Sequence, residues 1–130
     1  MTIRFLDPKE VESTRTSINK DPEFRLAAKF FSKDILLVFG ESQSIVRVRE
    51  GKVEEILLNP APLEPWSFYV KASTESWEKF LRPLPPPFYN GLFPAMMRQT
   101  FEVGGDLESA FAHFWAITRI LDIIREIQNK

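Results

Sequence analysis

The one histidine of the chain, His113, is the first place to look for proton transfer, because an imidazole titrates near neutrality. It stands among Phe111, Ala112, Phe114 and Trp115. That setting favours an edge or hydrogen-bonded core histidine over a catalytic one. Glu54 and Glu55 are adjacent, yet neighbours on a strand point to opposite faces, so the pair reads as solvated charge rather than a carboxylate dyad. Gly104-Gly105-Asp106 lacks the spacing and the lysine of a phosphate loop, and a turn followed by a helix cap accounts for it. With no cysteine and a single histidine, structural zinc, iron–sulfur, thiol-nucleophile and dithiol chemistry are excluded. No nucleophile beside a base emerges, so the expectation is a non-enzyme with no catalytic residues, no metal and no cofactor.

Two apolar features remain. Arg82-Pro83-Leu84-Pro85-Pro86-Pro87 has the spacing of a proline-rich ligand at Pro83 and Pro86, but apolar residues on both sides favour a rigid connector held within the domain. Beyond it, Phe88, Leu92, Phe93, Met96 and Met97 make a loosely specified apolar wall around Gly91 and Pro94. The final helix, read from Leu107 to about Gln128, has 13 apolar residues among the 21 from Leu107 to Ile127, more than a single buried stripe requires. These segments suit either an ordinary core or a wall closing over a flexible hydrophobic ligand, and the residues alone leave both readings open.

The elements that would position these residues follow from caps and periodicity. Asp7-Pro8-Lys9-Glu10 predicts a helix to about Asn19, and Asp21-Pro22-Glu23 a second through about Ser32, with Phe24, Ala27, Ala28 and Phe31 as its buried stripe. Ile35 to Phe39 and Ile45 to Arg49 read as strands, and Glu50-Gly51 as a two-residue hairpin loop. That loop would oppose Arg49 to Lys52, Val48 to Val53, Arg47 to Glu54 and Ile45 to Ile56. Val46, Val48, Val53 and Leu57 would then lie on one face, and the other would be largely wet. Three prolines make the Asn59 to Pro65 segment a loop. Trp66, Phe68, Val70 and Ala72 alternate as a fourth strand, Ser73 or Thr74 caps a helix through Leu81, and Phe101 to Val103 is a last strand before Asp106 caps the final helix.

Composition bounds the class. Seventeen basic against 18 acidic side chains leave a net charge of −1 with no basic block, so no footprint for nucleic acid is present. The first residues lack the apolar run of a signal peptide or spanning helix, which predicts no stable membrane insertion and a cytoplasmic location. A chain of 130 residues buries roughly two-thirds of its unfolded surface and needs no staple. No repeat or linker divides it, so residues 1–130 read as one domain.

The order of these elements, with several local motifs, resembles the sterol carrier protein type 2 domain. Asn19 through Ala28 is similar to that family's early helix, and Val46-Arg47-Val48-Arg49-Glu50-Gly51-Lys52-Val53 to its hairpin. Ser73-Thr74-Glu75-Ser76-Trp77 resembles the start of the following helix. Phe101-Glu102-Val103-Gly104-Gly105-Asp106-Leu107 resembles the last strand, its Gly-Asp-Leu turn and the last helix. The chain departs from the family at Gln99, where glycine is common, and in the Leu84 to Pro87 run, which looks like an insertion.

The resemblance implies an α/β (α+β) fold: a five-stranded, mostly antiparallel sheet with helices over one face and a hydrophobic tunnel between them. It implies non-enzymatic binding, and transfer, of a lipid, sterol-like or fatty-acyl molecule in that tunnel. By position, Phe111, Phe114 and Trp115 of the final helix and Phe93, Met96 and Met97 of the preceding one would line it, completed by Phe68, Val70, Trp77 and Phe80. A polar head would meet Arg98 or Tyr89 near the entrance. The partner is then a lipid or other hydrophobic small molecule, with the chain a monomer or weak homodimer. The competing expectation is a protein-interaction or dimerisation module whose apolar surface buries against a partner.

Overall fold

Asp7 accepts from the Lys9 amide, but the chain it starts opens with a single 3-10 turn, Pro8–Glu10, before the helix α1 (Val11–Lys20). Asp21 behaves as its sequence predicts: its carboxylate accepts the Phe24 amide and Pro22 occupies the first turn of α2 (Pro22–Ala27). That helix stops well short of Ser32, and Phe31 is buried from the turn beyond it. The structure, a computed structural model, describes residues 2–130, so residue 1 of the expected domain lies outside it.

The five strands β1 (Asp34–Phe39), β2 (Ser42–Arg49), β3 (Lys52–Leu58), β4 (Phe68–Ala72) and β5 (Phe101–Gly105) form one sheet in the order β3-β2-β1-β4-β5. Only β1 and β4 run parallel, since the chain crosses over between them; the other neighbours are antiparallel. The fold is therefore α+β with a mostly antiparallel sheet, as expected. Strand β1, at the centre, is buried on both faces, which its continuous apolar run anticipates.

The hairpin departs from its expected register in one instructive place. Glu50 and Gly51 both have positive φ, 51° and 77°, the conformation of a two-residue turn, and Arg49 opposes Lys52 and Val48 opposes Val53 as predicted. A bulge between Arg47 and Val48 then shifts the pairing, so Arg47 faces Glu55 and Ile45 faces Leu57. Strict alternation from Val53 would have aimed Glu55 into the core. The bulge leaves both Glu54 and Glu55 exposed and turns Ile56 inward instead of Leu57. The two glutamates therefore do not point to opposite faces, and both are in water. Arg47 pairs not with Glu54 but with Asp34 at 2.9 Å and Glu64 at 2.6 Å.

Nor is the outer face largely wet. Leu36, Val38 and Ile45 form a small buried cluster there, with Leu57 and Tyr69 against it. Arg47 also reaches the Pro65 carbonyl, fastening the proline loop beside this cluster, and Trp66 packs edge-on to Tyr69 at 5.7 Å. Trp66 is thus on the outer side and not in the alternating inward set of β4, which begins at Phe68.

On the inner face lie α3 (Thr74–Phe80), α4 (Leu92–Met97), α5 (Leu107–Ala112) and α6 (Phe114–Gln128), together with α1 and α2. Ser73 caps α3 and Asp106 caps α5, each by accepting the amide three residues on. The long final helix of the sequence reading is two helices, broken at His113, whose backbone (φ −116°, ψ 26°) is not helical. No glycine or proline marks that break. Asn19 ties α1 to the edge strand by exchanging two hydrogen bonds with the Val53 backbone, at 2.7 and 3.0 Å. Arg4 links the first turn to the end of α6: its amide donates to Gln128 Oε1 and its guanidinium to the Ile127 carbonyl. Among the described residues no helix is long and apolar enough to cross a membrane.

Candidate apolar site on the helical layer

Directly beneath the sheet, aromatic rings pack on one another. Phe39 lies 5.7 Å from Phe5 and 4.3 Å from Trp77, and Trp77 lies 5.8 Å from Phe80 and 4.7 Å from Phe101, centroid to centroid. The Trp77 indole N–H donates to the Val38 carbonyl at 2.8 Å, so this buried tryptophan has its polar atom satisfied. Four of the ten residues expected to line a tunnel, Phe68, Val70, Trp77 and Phe80, are buried in the core cluster.

The other six sit further out. Phe93 is 58 % exposed, Met97 69 %, Phe111 51 % and Trp115 78 %, while Phe114 and Met96 are partly buried against the core. Phe114 joins Phe93 edge-on at 6.5 Å and stacks on Phe111 at 5.9 Å. An open groove of about 380 Å³ runs between α4 and α6, walled by Gly91, Leu92, Phe93, Pro94, Phe114, Trp115 and Thr118. Apart from the threonine hydroxyl its side chains are apolar. Phe93, Phe114 and Trp115 are thus brought together, with Phe111 adjoining; Met97 is not on the walls of this groove. Met96 borders a separate depression beside β5, with Gln99, Phe101, Glu102 and Val103.

Arg98 and Tyr89, expected near the entrance, are not on the walls of this groove. The Arg98 guanidinium covers the Phe88 ring at 3.9 Å, and Tyr89 lies beside Lys79 and accepts Arg125 through its carbonyl.

A second groove, of about 450 Å³, lies on the other side of Trp115, between α2 and α6. Its walls are Glu23, Leu26 and Ala27 from α2, Ala112 and His113 at the helix break, and Trp115, Thr118, Arg119 and Asp122 from α6. Sequence reasoning missed Glu23, Leu26, Ala27, Thr118, Arg119 and Asp122. Their spacing carries a signal, three and four residues apart on each helix, but only tertiary packing shows that the two stripes face each other.

The electrostatics of this groove are specific. Arg119 grips Asp21 with Nε and a terminal nitrogen, both at 2.8 Å, and lies 3.7 Å from Glu23 and 3.5 Å from Glu126. The guanidinium bonds draw the Asp21 carboxyl below the usual carboxylate range, against the opposing effect of burial. Burial instead pushes the Asp122 carboxyl up. His113 stacks on Phe31 at 4.5 Å, and Phe31 stacks on Phe68, so a column of rings runs from β4 to the groove floor. Burial first, and the charge of Lys33 second, hold the His113 imidazole below its ordinary pKa. No group of three or more His, Asp or Glu side chains able to hold a metal occurs among the described residues.

A single mixed sheet with helices on one face and apolar grooves cut into that helical layer defines a small α+β domain of the kind that presents a greasy cleft. More particularly, the fold is that of sterol carrier protein 2. A crystal structure of sterol carrier protein 2 superimposes with a TM-score of 0.75 over 95 % of this chain and 98 % of that one, at 16 % identity. A conserved hypothetical protein of Thermus thermophilus, with a suggested sterol-carrier identity, gives 0.72 at 14 % identity, over 97 % and 91 % of the two chains. The UbiJ-SCP2 ubiquinone synthesis protein gives 0.55 at 13 % identity, over 89 % and 92 %. No protein-family model matches the chain, and no curated protein matches it by sequence.

Proposed function

We propose that residues 1–130 form one sterol-carrier-like domain that binds a lipid or other apolar small molecule without chemical conversion and carries it between apolar environments. The observation that carries this reading is the groove between α4 and α6, whose lining is apolar but for Thr118. In a molecule with charged side chains over its surface, an uncovered cleft of aromatic and aliphatic groups is a place for a tail. Desolvating about ten methylenes at roughly 0.8 kcal/mol each is of the order of a micromolar complex before ordering costs are subtracted. Binding of that kind is loose in specificity along the tail.

Of the ten residues suggested by the family resemblance, Phe93, Phe114 and Trp115 are the direct contacts in this reading, with Phe111 beside them. Phe68, Val70, Trp77 and Phe80 act from beneath, as the buried layer on which the helices rest. Organic extraction of gently purified protein is expected to return an apolar molecule near one equivalent, measured by mass spectrometry. Stripped protein is expected to bind the uncharged dye Nile red with saturation at one equivalent. Protein that yields no extractable molecule and leaves Nile red unbound would end the carrier reading.

The exposure of Phe93, Met97, Phe111 and Trp115 in one helical layer also favours a second reading, burial against another copy. Sedimentation velocity separates the two. A dimer that masks Nile red binding supports self-association, and a monomer that binds the dye supports the carrier.

A further inference from the structure

The two grooves share Trp115 and Thr118 as walls, so they adjoin across that ridge, and a tail lying in the apolar groove brings its end to the rim of the polar one. We propose, on the reading that this chain binds an apolar tail, that the groove between α2 and α6 receives the head of the same amphiphile. It selects a head that donates hydrogen bonds, an alcohol or an amine, against a carboxylate or a phosphate.

The argument rests on which groups in that groove are already occupied. Its only lining cation is Arg119, and this guanidinium is spent: two 2.8 Å bonds to Asp21, with Glu23 and Glu126 crowding it at 3.7 and 3.5 Å. The next cation along α6, Arg125, donates to the Phe80 and Tyr89 carbonyls at 2.7 and 3.1 Å and meets Asp122 only at 3.5 Å. Lys33 is the remaining cation felt here, and it acts at the His113 end. Four carboxylates, Asp21, Glu23, Asp122 and Glu126, thus surround two guanidiniums.

The unfilled capacity is for donors. Asp122 accepts no hydrogen bond from the described residues, meets Arg125 at 3.5 Å and keeps 34 % of its side chain exposed; burial raises its pKa against the opposing charges of Arg125 and Arg119. The Oγ1 of Thr118 is also without a hydrogen-bond partner but is closed off from both grooves, so Asp122 is the acceptor open to a head. A second anion brought here would find no free cation and would face the Asp122 and Glu23 charges at short range. A hydroxyl or ammonium would instead give Asp122 the hydrogen bond it lacks.

The test is displacement of Nile red from the full chain at neutral pH and low salt, with dodecylamine, dodecanol, laurate and dodecyl phosphate, all below their micelle concentrations. The amine or the alcohol, or both, are expected to displace the dye at about tenfold lower concentration than either anion, the size of one charge-assisted hydrogen bond. Amine above alcohol identifies a cationic head, and alcohol above amine a hydroxyl one. Asp122→Asn is expected to erase most of the advantage over laurate. Glu23→Gln, at an exposed position, is expected to reduce it by a smaller factor. Laurate or dodecyl phosphate competing as well as the donors, or a ranking unmoved by Asp122→Asn, overturns the head-group assignment while leaving the tail reading intact. Dye that fails to bind, with no heat from any amphiphile, overturns both.

Discussion

Trp77 and His113 are the two residues whose environments make the sharpest demands. The Trp77 indole sits in the buried ring layer with its N–H on the Val38 carbonyl, so Trp77→Phe removes both a buried hydrogen bond and ring volume. It is expected to cost about 2 kcal/mol, read as a lower urea midpoint at unchanged slope. His113 has a folded pKa held below that of the unfolded chain. As pH falls past about 6.5, the unfolded state takes up a proton first, so stability contributed by the neutral imidazole is present above that pH and declines below it. His113→Phe, which keeps a ring against Phe31, is expected to flatten the stability profile between roughly pH 7 and 5. Urea titrations of both proteins across that window check it, and an unchanged slope in the variant would remove His113 as its source.

At the scale of elements, the turn at Glu50-Gly51 is the most exposed to design. Glu50 holds a left-handed conformation that a side chain of its type disfavours, whereas Asn before Gly suits this turn. Glu50→Asn is expected to stabilise by about 0.5–1 kcal/mol, seen as a rise in thermal midpoint of a few degrees. Gly51→Ala is expected to act in the opposite direction by roughly 1–3 kcal/mol, because an added Cβ would fall 2.7 Å from the Ala28 carbonyl oxygen at positive φ. Local chemistry of this kind is what a sequence exposes: the caps at Asp21, Ser73 and Asp106, the hairpin turn and the existence of the five strands could be read locally, but β2 begins at Ser42 and not Ile45, β4 at Phe68 and not Trp66, and Gly104-Gly105, expected as a turn, ends β5. The bulge at Arg47 was not, although adjacent Glu54 and Glu55 between Val53 and Ile56 break the alternation and could have announced it. The break at His113 carries no glycine or proline, and the facing of α2 and α6 is decided by long-range packing; neither has a local signature.

Over the whole molecule, apolar residues are divided between two jobs. One core cluster extends from Ile3 to Ile127 and takes in both ends of the described chain, which predicts a single cooperative unfolding transition with coincident far-UV and tryptophan signals. Phe93, Phe111 and Trp115 on the helical layer stand outside it, with Phe114 packed at its edge. The family resemblance put Phe93, Phe114 and Trp115 in one lining with Phe68, Val70, Trp77 and Phe80; the first three wall an open groove and the other four are buried, a division that periodicity does not register because it marks an apolar face without saying what covers it. Trp115→Ser is expected to leave folding stability within about 0.5 kcal/mol while weakening Nile red binding several-fold. A variant that lost both together would tie the groove to the core after all.

That the rings beneath the sheet pack on one another while others stand exposed on the helices bears on how such a domain can change over time. Position 115, 78 % exposed, can drift through many side chains at small cost to the scaffold, and positions 93 and 111, half exposed and resting on Phe114, through fewer. On the carrier reading proposed above, preference among ligands would rest on these surface side chains and be open to selection from a small randomised library, while the buried scaffold stays fixed.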